Sequence, residues 1–531
     1  MSVKKILVGF VAVGSLALAA CGTGDAGDDG YPTTLKLADK DTADNFHPAS
    51  GYGQTGISPI YDGLLKPDAS AGSDVIPRLV PALAAEEPKA NADASEWTVK
   101  LREGVTFHDG TAFDAADVKA TYDVARDASK GSKVSMRYDV IDEVKVVDDN
   151  TVTFKLAYPY GGFASRLTLA IAPSELVGEG DVVNGPLGEK PVGTGAYSVT
   201  ERTGDLVRYT ANPDYWGGKP EVGEFLVTLA SDDAARAQRV ASGELDGAHV
   251  PPSVAKNFEG RSGVEVVTAT TADWRGISLP KHPFLKDPAV RRALNLAVDR
   301  DAIVSGPLLG KGRAISTAVP EIYGDSHNPD ATFGHDTAEA ERILDEAGWR
   351  KGADGVREKD GVRAEIPLYY SGEDTLRRDV GIEFSAQMAR IGVSFPTTAS
   401  TWDDITPRLG EAAAVLGGGS APWDVDMFAY DLLHTREAAT SEYSNPGDYG
   451  SPELDAKLDE ARRATDAGER ARLYREAQAM YAENPSNIFL ATIDHVYLAK
   501  ENKWNRGSTI LEPHIHGATW GPWWNLRDWK K

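Results

Sequence analysis

Short runs that alternate apolar and polar residues are interleaved along this chain with stretches where apolar residues recur every three to four positions. Trp97-Thr98-Val99-Lys100-Leu101-Arg102 alternates as a half-buried strand does. Residues 143–147 and 151–156 repeat the pattern on either side of Asp148-Asp149-Asn150, which predicts a hairpin. Asp114, with Asp117 three residues on, predicts the capped start of a helix burying Val118, Tyr122 and Ala125. Asp287-Pro288 opens another, with Val290, Leu294, Ala297 and Val298 on one face. A helix over 336–347 buries Ile343, Leu344 and Ala347 and stops at Gly348. One over 469–481 buries Leu473, Ala477, Met480 and Tyr481. Mixed short strands and helices of this kind predict an α/β architecture with more than one core.

The N-terminus follows a different pattern. Lys4 and Lys5 precede an apolar run over 6–20, too short to span a bilayer comfortably, and the run closes on Leu18-Ala19-Ala20-Cys21. Cys21 is the only cysteine. These residues resemble the bacterial lipobox. The resemblance implies a signal peptide over 1–20, cleavage before Cys21, and acylation of its sulfur and new amino group. Residues 22–30 (GTGDAGDDG) read as a flexible acidic tether. About 510 residues remain, enough for two or three domains. No later stretch approaches the ~18 apolar residues of a membrane helix, so the body is expected to be soluble. With its one cysteine given to lipid, the mature fold is expected to hold no internal disulfide.

Lys and Arg number 56 against 80 Asp and Glu, a net charge of −24. That balance disfavours nucleic acid and anionic lipid as partners and makes cationic or zwitterionic ligands easier to accept. Chemical motifs are weak. Gly51-Tyr52-Gly53-Gln54-Thr55-Gly56 fits G-x-G-x-x-G, but it follows the turn-like Asn45-Phe46-His47-Pro48 where a dinucleotide site needs a buried strand. The run 306–312 (GPLLGKG) is one residue short of a phosphate loop and lacks its Ser/Thr. Gly417-Gly418-Gly419-Ser420 lacks the final glycine of a hydrolase elbow. His514 and His516 are weak metal candidates on one face of an extended segment. No nucleophile–base pair emerges, so neither catalysis nor a cofactor is expected.

Several blocks are similar to the extracytoplasmic solute-binding proteins of ABC importers, specifically the peptide/nickel class, family 5. They are the run 96–111 (EWTVKLREGVTFHDGT) with Asp117-Val118, Pro191-Val192-Gly193-Thr194-Gly195-Ala196-Tyr197, and 212–220 (NPDYWGGKP). Ser242-Gly243-Glu244-Leu245-Asp246, Val290-Arg291-Arg292-Ala293-Leu294 and Glu346-Ala347-Gly348-Trp349 follow in family order. Gly193, Gly195, Gly217 and Gly218 suit turns that need positive φ, pinned by Tyr197, Tyr215 and Trp216, and these residues are expected to maintain the fold. The resemblance implies a hinged, two-lobed periplasmic-binding-protein-like fold (type II-like) with an additional inserted domain. Lobe I would take 31–62, 191–277 and 505–531, the inserted domain 63–190, and lobe II 278–504. It also implies a lipid-anchored, monomeric receptor on the extracytoplasmic face of the cell membrane, serving permease subunits and their ATPase.

Peptide-binding members of that family hold extended peptides by backbone hydrogen bonds, with an aspartate on the α-amino group and often an arginine or lysine on the carboxylate. The matching stretch here starts at Trp423-Asp424-Val425-Asp426 and departs from the family pattern beyond Tyr430. Asp431 is therefore the candidate amine partner, with His434 and Arg436 as neighbours. Ser50, Tyr52 and Gln54 fall on the loop where family members touch ligand; Trp274, also a candidate ligand contact, precedes a strand expected to cross to the second lobe, and Trp402 and Trp423 are candidate apolar walls. Nickel-binding members carry an arginine just before a segment like Ile171-Ala172-Pro173-Ser174; here Leu167-Thr168-Leu169-Ala170 precedes it. A peptide is thus the expected solute, a nickel chelate the runner-up, and a sensing adaptor the alternative class.

Overall fold

The computed structural model describes residues 31–40, 44–418, 422–435, 443, 445–514 and 517–531. Cys21, Arg436 and His516, with the signal and tether, lie outside them. Two large sheets organise the chain. In the first, seven strands run Val264–Ala269, His495–Lys500, Gly247–Val250, Thr34–Asp39, Glu224–Leu229, Leu206–Ala211 and Tyr197–Arg202. In the second, six run Gly312–Ala314, Asn487–Ile493, Trp274–Ser278, Ala413–Gly418, Leu368–Ser371 and Thr397–Ser400. Thr34–Asp39 lies parallel to both its neighbours, as Leu368–Ser371 does in the second sheet. A smaller antiparallel sheet carries the hairpin Ile141–Asp148 and Thr151–Leu156, with Glu96–Lys100 beside it.

The helix ends follow the local chemistry read from the sequence. Asp114 and Asp117 form a reciprocal capping box on helix Ala115–Ala125, whose Val118, Tyr122 and Ala125 are fully buried. Asp287 caps Pro288–Ala297, and Asp336 caps Thr337–Glu346, with Gly348 left-handed at φ +86° beyond it. Helix Ala467–Glu483 is capped by Asp466; its Met480, like Ile343 and Ala347 in the preceding case, is only half-buried.

The two sheets define two lobes, joined by two crossings. The chain leaves the first sheet after Ala269 and enters the second at Trp274; it returns through Asp494 alone, between Ile493 and His495. Both crossings differ from the expected bounds. Strand Trp274–Ser278 pairs in the second sheet, and His495–Lys500 pairs in the first, so the return falls at 494 and not 504. Residues 487–493 and 495–499 are buried on both sides of the half-buried Asp494, so neither strand shows an alternating period and only the polar pair Asp494-His495 marks the change.

The family blocks act mainly on the fold. Asp62 accepts from Thr194 Oγ1 (3.1 Å), Tyr215 Oη (3.2 Å) and Trp216 Nε1 (2.9 Å), and Arg527 lies 3.5 Å away. His108 bonds the Gly193 and Gly195 backbones, tying two blocks together. Only Gly218 among the four glycines takes positive φ, at +99°. Gly193 and Gly195 are required for another reason: a Cβ on either would overlap the Ile60 backbone.

Candidate functional site

Between the lobes lies a cleft of about 880 Å³, within the range of small-solute sites. It opens where the parallel strands of both sheets end, the usual place for a ligand in such architectures. The first lobe contributes Lys40, the strand end His249-Val250 and the Pro251-Pro252 that follows it; the second contributes Arg275, Ser371, Asp374, Arg377 and Trp402; Asp494 and His495 form its hinge side.

A chain of buried charges runs along that hinge side. Arg275 Nη1 donates to Asp273 Oδ1 at 2.5 Å. Asp273 also meets His495 Nε2 at 3.3 Å and His514 Nδ1 at 2.8 Å, and His495 Nδ1 lies 2.8 Å from Glu512 Oε2, which accepts from Tyr497 Oη at 2.8 Å. Burial opposes the charge on His495, but the Asp273 and Glu512 hydrogen bonds outweigh it and raise its pKa to about 8. Burial likewise opposes ionisation of Asp273, yet Arg275 and the two histidines hold its carboxyl well below the usual range. Helix Thr375–Arg390 starts at the opposite wall. Its cap Asp374 accepts from Arg377 Nη1 at 3.1 Å, and the Arg377 guanidinium lies 5.1 Å from the centre of the Trp402 ring. Burial, followed by the neighbouring Arg275 charge, lowers the Arg377 pKa to about 10.

At a second contact between lobes, Trp423 Nε1 donates to the Thr55 carbonyl at 2.9 Å, and Trp423 is buried. Gln54 next to it accepts from Arg137 on helix Ser135–Tyr138, while its own carbonyl accepts from Thr168 Oγ1 at 2.8 Å. The Arg137 guanidinium is favoured by the Asp431 carboxylate, although burial outweighs this and lowers its pKa. Asp426 is fully buried, accepting from Arg462 (2.9–3.1 Å), Tyr474 Oη (2.6 Å) and Tyr160 Oη (2.8 Å), with Arg166 at 3.6 Å.

The remaining sequence candidates divide between cleft and core. Trp402 lines the cleft, and its ring meets Tyr443 edge-on at 5.8 Å. Trp274 is buried against Phe428 and Phe489 and serves the core. Tyr52 packs edge-on against Phe46 and Tyr61, and burial pushes its phenol up to about 12. Ser50 Oγ is spent on the carbonyls of Asn45 and His47. Asp431 and His434 sit at the end of helix Asp426–Leu433, where His434 stacks on Tyr430 and lies 3.4 Å from Asp455. His514 is taken up by Asp273; among the described residues no group of three or more His, Cys, Asp or Glu is arranged to hold a metal. Sequence reasoning missed Arg275, Arg377 and Asp494, which the fold brings to one cleft from elements more than a hundred residues apart, and Arg137, which meets Gln54 at the second contact.

A two-lobed α/β body with a charged cleft at its hinge defines a solute-binding protein. Residues 78–440 match the bacterial extracellular solute-binding proteins, family 5 (middle), and the chain belongs to that family. It is 36% identical over 514 residues to Protein XP55 of Streptomyces lividans, covering 96% of this chain and 93% of that one. The oligopeptide-binding protein AppA of Bacillus subtilis is 26% identical over 82% of this chain and 85% of its own. Among solved structures, NikZ of Campylobacter jejuni in complex with Ni(L-His) superposes with a TM-score of 0.82 at 24% identity, covering 94% of this chain and 99% of that one. Among the described residues no helix is long and apolar enough to cross a membrane.

Proposed function

We propose that this chain is the extracytoplasmic receptor of an ABC importer for oligopeptides or dipeptides, closing its lobes on the solute and delivering it unchanged to a permease. The observation that carries this reading is the 880 Å³ cleft between the lobes, walled by buried groups of both charge signs, as a zwitterion requires. Cys21 would carry the lipid anchor, and the protein would act as a monomer without turnover. Residues 63–190 would form the inserted domain, with the remaining segments forming the two lobes about the crossings at 270–273 and 494. Calorimetric titration with a defined set of di- to pentapeptides, followed by mass analysis of the peptides, tests it: saturable binding with every peptide intact supports it, and cleavage or no binding by any peptide overturns it.

A nickel chelate is the second reading. It is favoured by the likeness to a protein solved with Ni(L-His) and by Arg137, a cation beside Gln54 able to meet a chelator carboxylate. Titration with nickel plus L-histidine separates the two. Neighbouring genes distinguish import from sensing: adjacent permease and ATPase genes support import.

A further inference from the structure

The segment 158–168 meets the second lobe well away from the cleft. Its Tyr160, Phe163 and Leu167 pack in one core with Leu35 and Leu37 of the first sheet. Asp426, across from it, opens helix Asp426–Leu433, whose Phe428 shares a separate core with Trp274 and Leu416 of the second sheet. Tyr160 Oη donates to Asp426 Oδ2 at 2.8 Å, and the Arg166 guanidinium lies 3.6 Å from the same oxygen. All three side chains are buried, and none of them lines the 880 Å³ cleft.

Asp426 is satisfied without these two partners. Arg462 donates to both of its oxygens at 2.9–3.1 Å and Tyr474 Oη to Oδ1 at 2.6 Å. Tyr474, like Leu458 and Ala461 on the helix of Arg462, packs in the core of the second lobe. A carboxylate already held inside one body thus accepts an extra, charge-assisted bond from the other, which exists only while the two stand together. Trp423, three residues before Asp426, makes its own bond to Thr55 beside it.

The backbone is cut to allow that approach. A Cβ on Gly161 would lie 2.4 Å from the Ala464 carbonyl oxygen and 3.1 Å from Thr465 Cα. One on Gly162 would lie 2.7 Å from Arg470 Nη2 and 3.1 Å from Asp424 Oδ2. Neither glycine takes positive φ, so what the pair supplies is room for the second lobe. The three atoms nearest a Cβ on Gly161 all belong to residues 464 and 465, so a methyl there is resisted only while the two bodies are docked.

We infer that the segment 158–166 and Asp426 form a latch outside the cleft, which favours the closed form of the empty protein and sets how readily the cleft opens. Tyr160 is its positioning residue. The latch rests on the hinged-receptor reading above, but on no particular solute. Opening breaks the Tyr160 bond and leaves Asp426 with Arg462 and Tyr474, so the contact can be made and broken without disturbing either core.

The test uses the full mature chain without solute and two variants. Tyr160→Phe keeps the ring in its core and removes the donor; Gly161→Ala adds a methyl aimed at the second lobe. Each should raise the ratio of open to closed molecules at least about tenfold, as expected for losing a hydrogen bond to a charged group. Small-angle scattering reads this as a larger mean radius of gyration than that of wild type, with near-UV circular dichroism unchanged. Where the two variants differ, Tyr160→Phe decides, because it leaves the backbone untouched. A radius of gyration equal to that of wild type overturns the latch. A lower denaturant midpoint at unchanged radius also overturns it, since the contact would then be a fixed part of the fold. Peptide binding by wild type is measured separately by calorimetry, so a receptor without a latch is told apart from a latched protein that takes some other solute.

Discussion

Trp423 of the second lobe donates its indole N–H to the Thr55 carbonyl of the first at 2.9 Å, in a buried contact that exists only while the lobes stand together. A neutral hydrogen bond of this kind contributes about 1 kcal/mol, roughly a fivefold bias between open and closed forms. Trp423→Phe keeps most of the ring and removes the donor. Scattering of the solute-free variant should show a larger mean radius of gyration than wild type; an unchanged radius would mean the bond forms no part of closure.

Asp426 should tolerate substitution least. Asp426→Asn leaves Arg462 and Arg166 buried without their counter-charge, which costs on the order of 3–5 kcal/mol. Denaturant unfolding monitored by circular dichroism checks this. Burial raises the Asp426 pKa, but Arg462 and its neighbours more than reverse that, so its contribution is present above the ordinary aspartate range and is lost as pH falls.

His495 acts in the opposite pH direction. Its pKa is raised to about 8 from 6.5, so its contribution, about 2 kcal/mol, is complete below pH 6.5 and is lost as pH rises through 8. Wild type should lose stability relative to His495→Gln between those values. A difference that stays constant from pH 6 to 9 would show that the imidazole does not change charge there.

If Asp431 takes the ammonium end of a peptide, as the sequence pattern suggests, Asp431→Asn should weaken peptide binding by roughly 2–5 kcal/mol. N-acetylation of the peptide should cost wild type the same and the variant little more, since both changes remove one interaction. Asp494 is the competing acid, because its buried Oδ1 has no hydrogen-bond partner on the cleft wall. A loss with Asp494→Asn and none with Asp431→Asn would move the ammonium to the hinge.

What the sequence made legible was local. Asp114, Asp287 and Asp336 cap helices because a side-chain oxygen meets an amide two or three residues on, and that spacing is written in the chain. The hairpin about Asp149-Asn150 follows from alternation alone. Gly193 and Gly195 were legible as necessary, but their reason, close packing on Ile60, depends on a segment more than a hundred residues away. The cleft failed for the same cause. Arg275 sits in a short strand and Arg377 in the first turn of a helix, where each resembles an ordinary surface charge until the fold brings both to the cleft. Large aromatics are conspicuous in a sequence, but their burial is not: Trp402 lines the cleft, whereas Trp274 is core.

The central claim is that the lobes close on a solute at the hinge cleft. Small-angle scattering of the mature protein, with and without a saturating peptide identified by calorimetry, measures this directly. The account predicts a smaller radius of gyration on binding, with compaction following the same saturation curve as the heat. Saturable binding at an unchanged radius of gyration would contradict it.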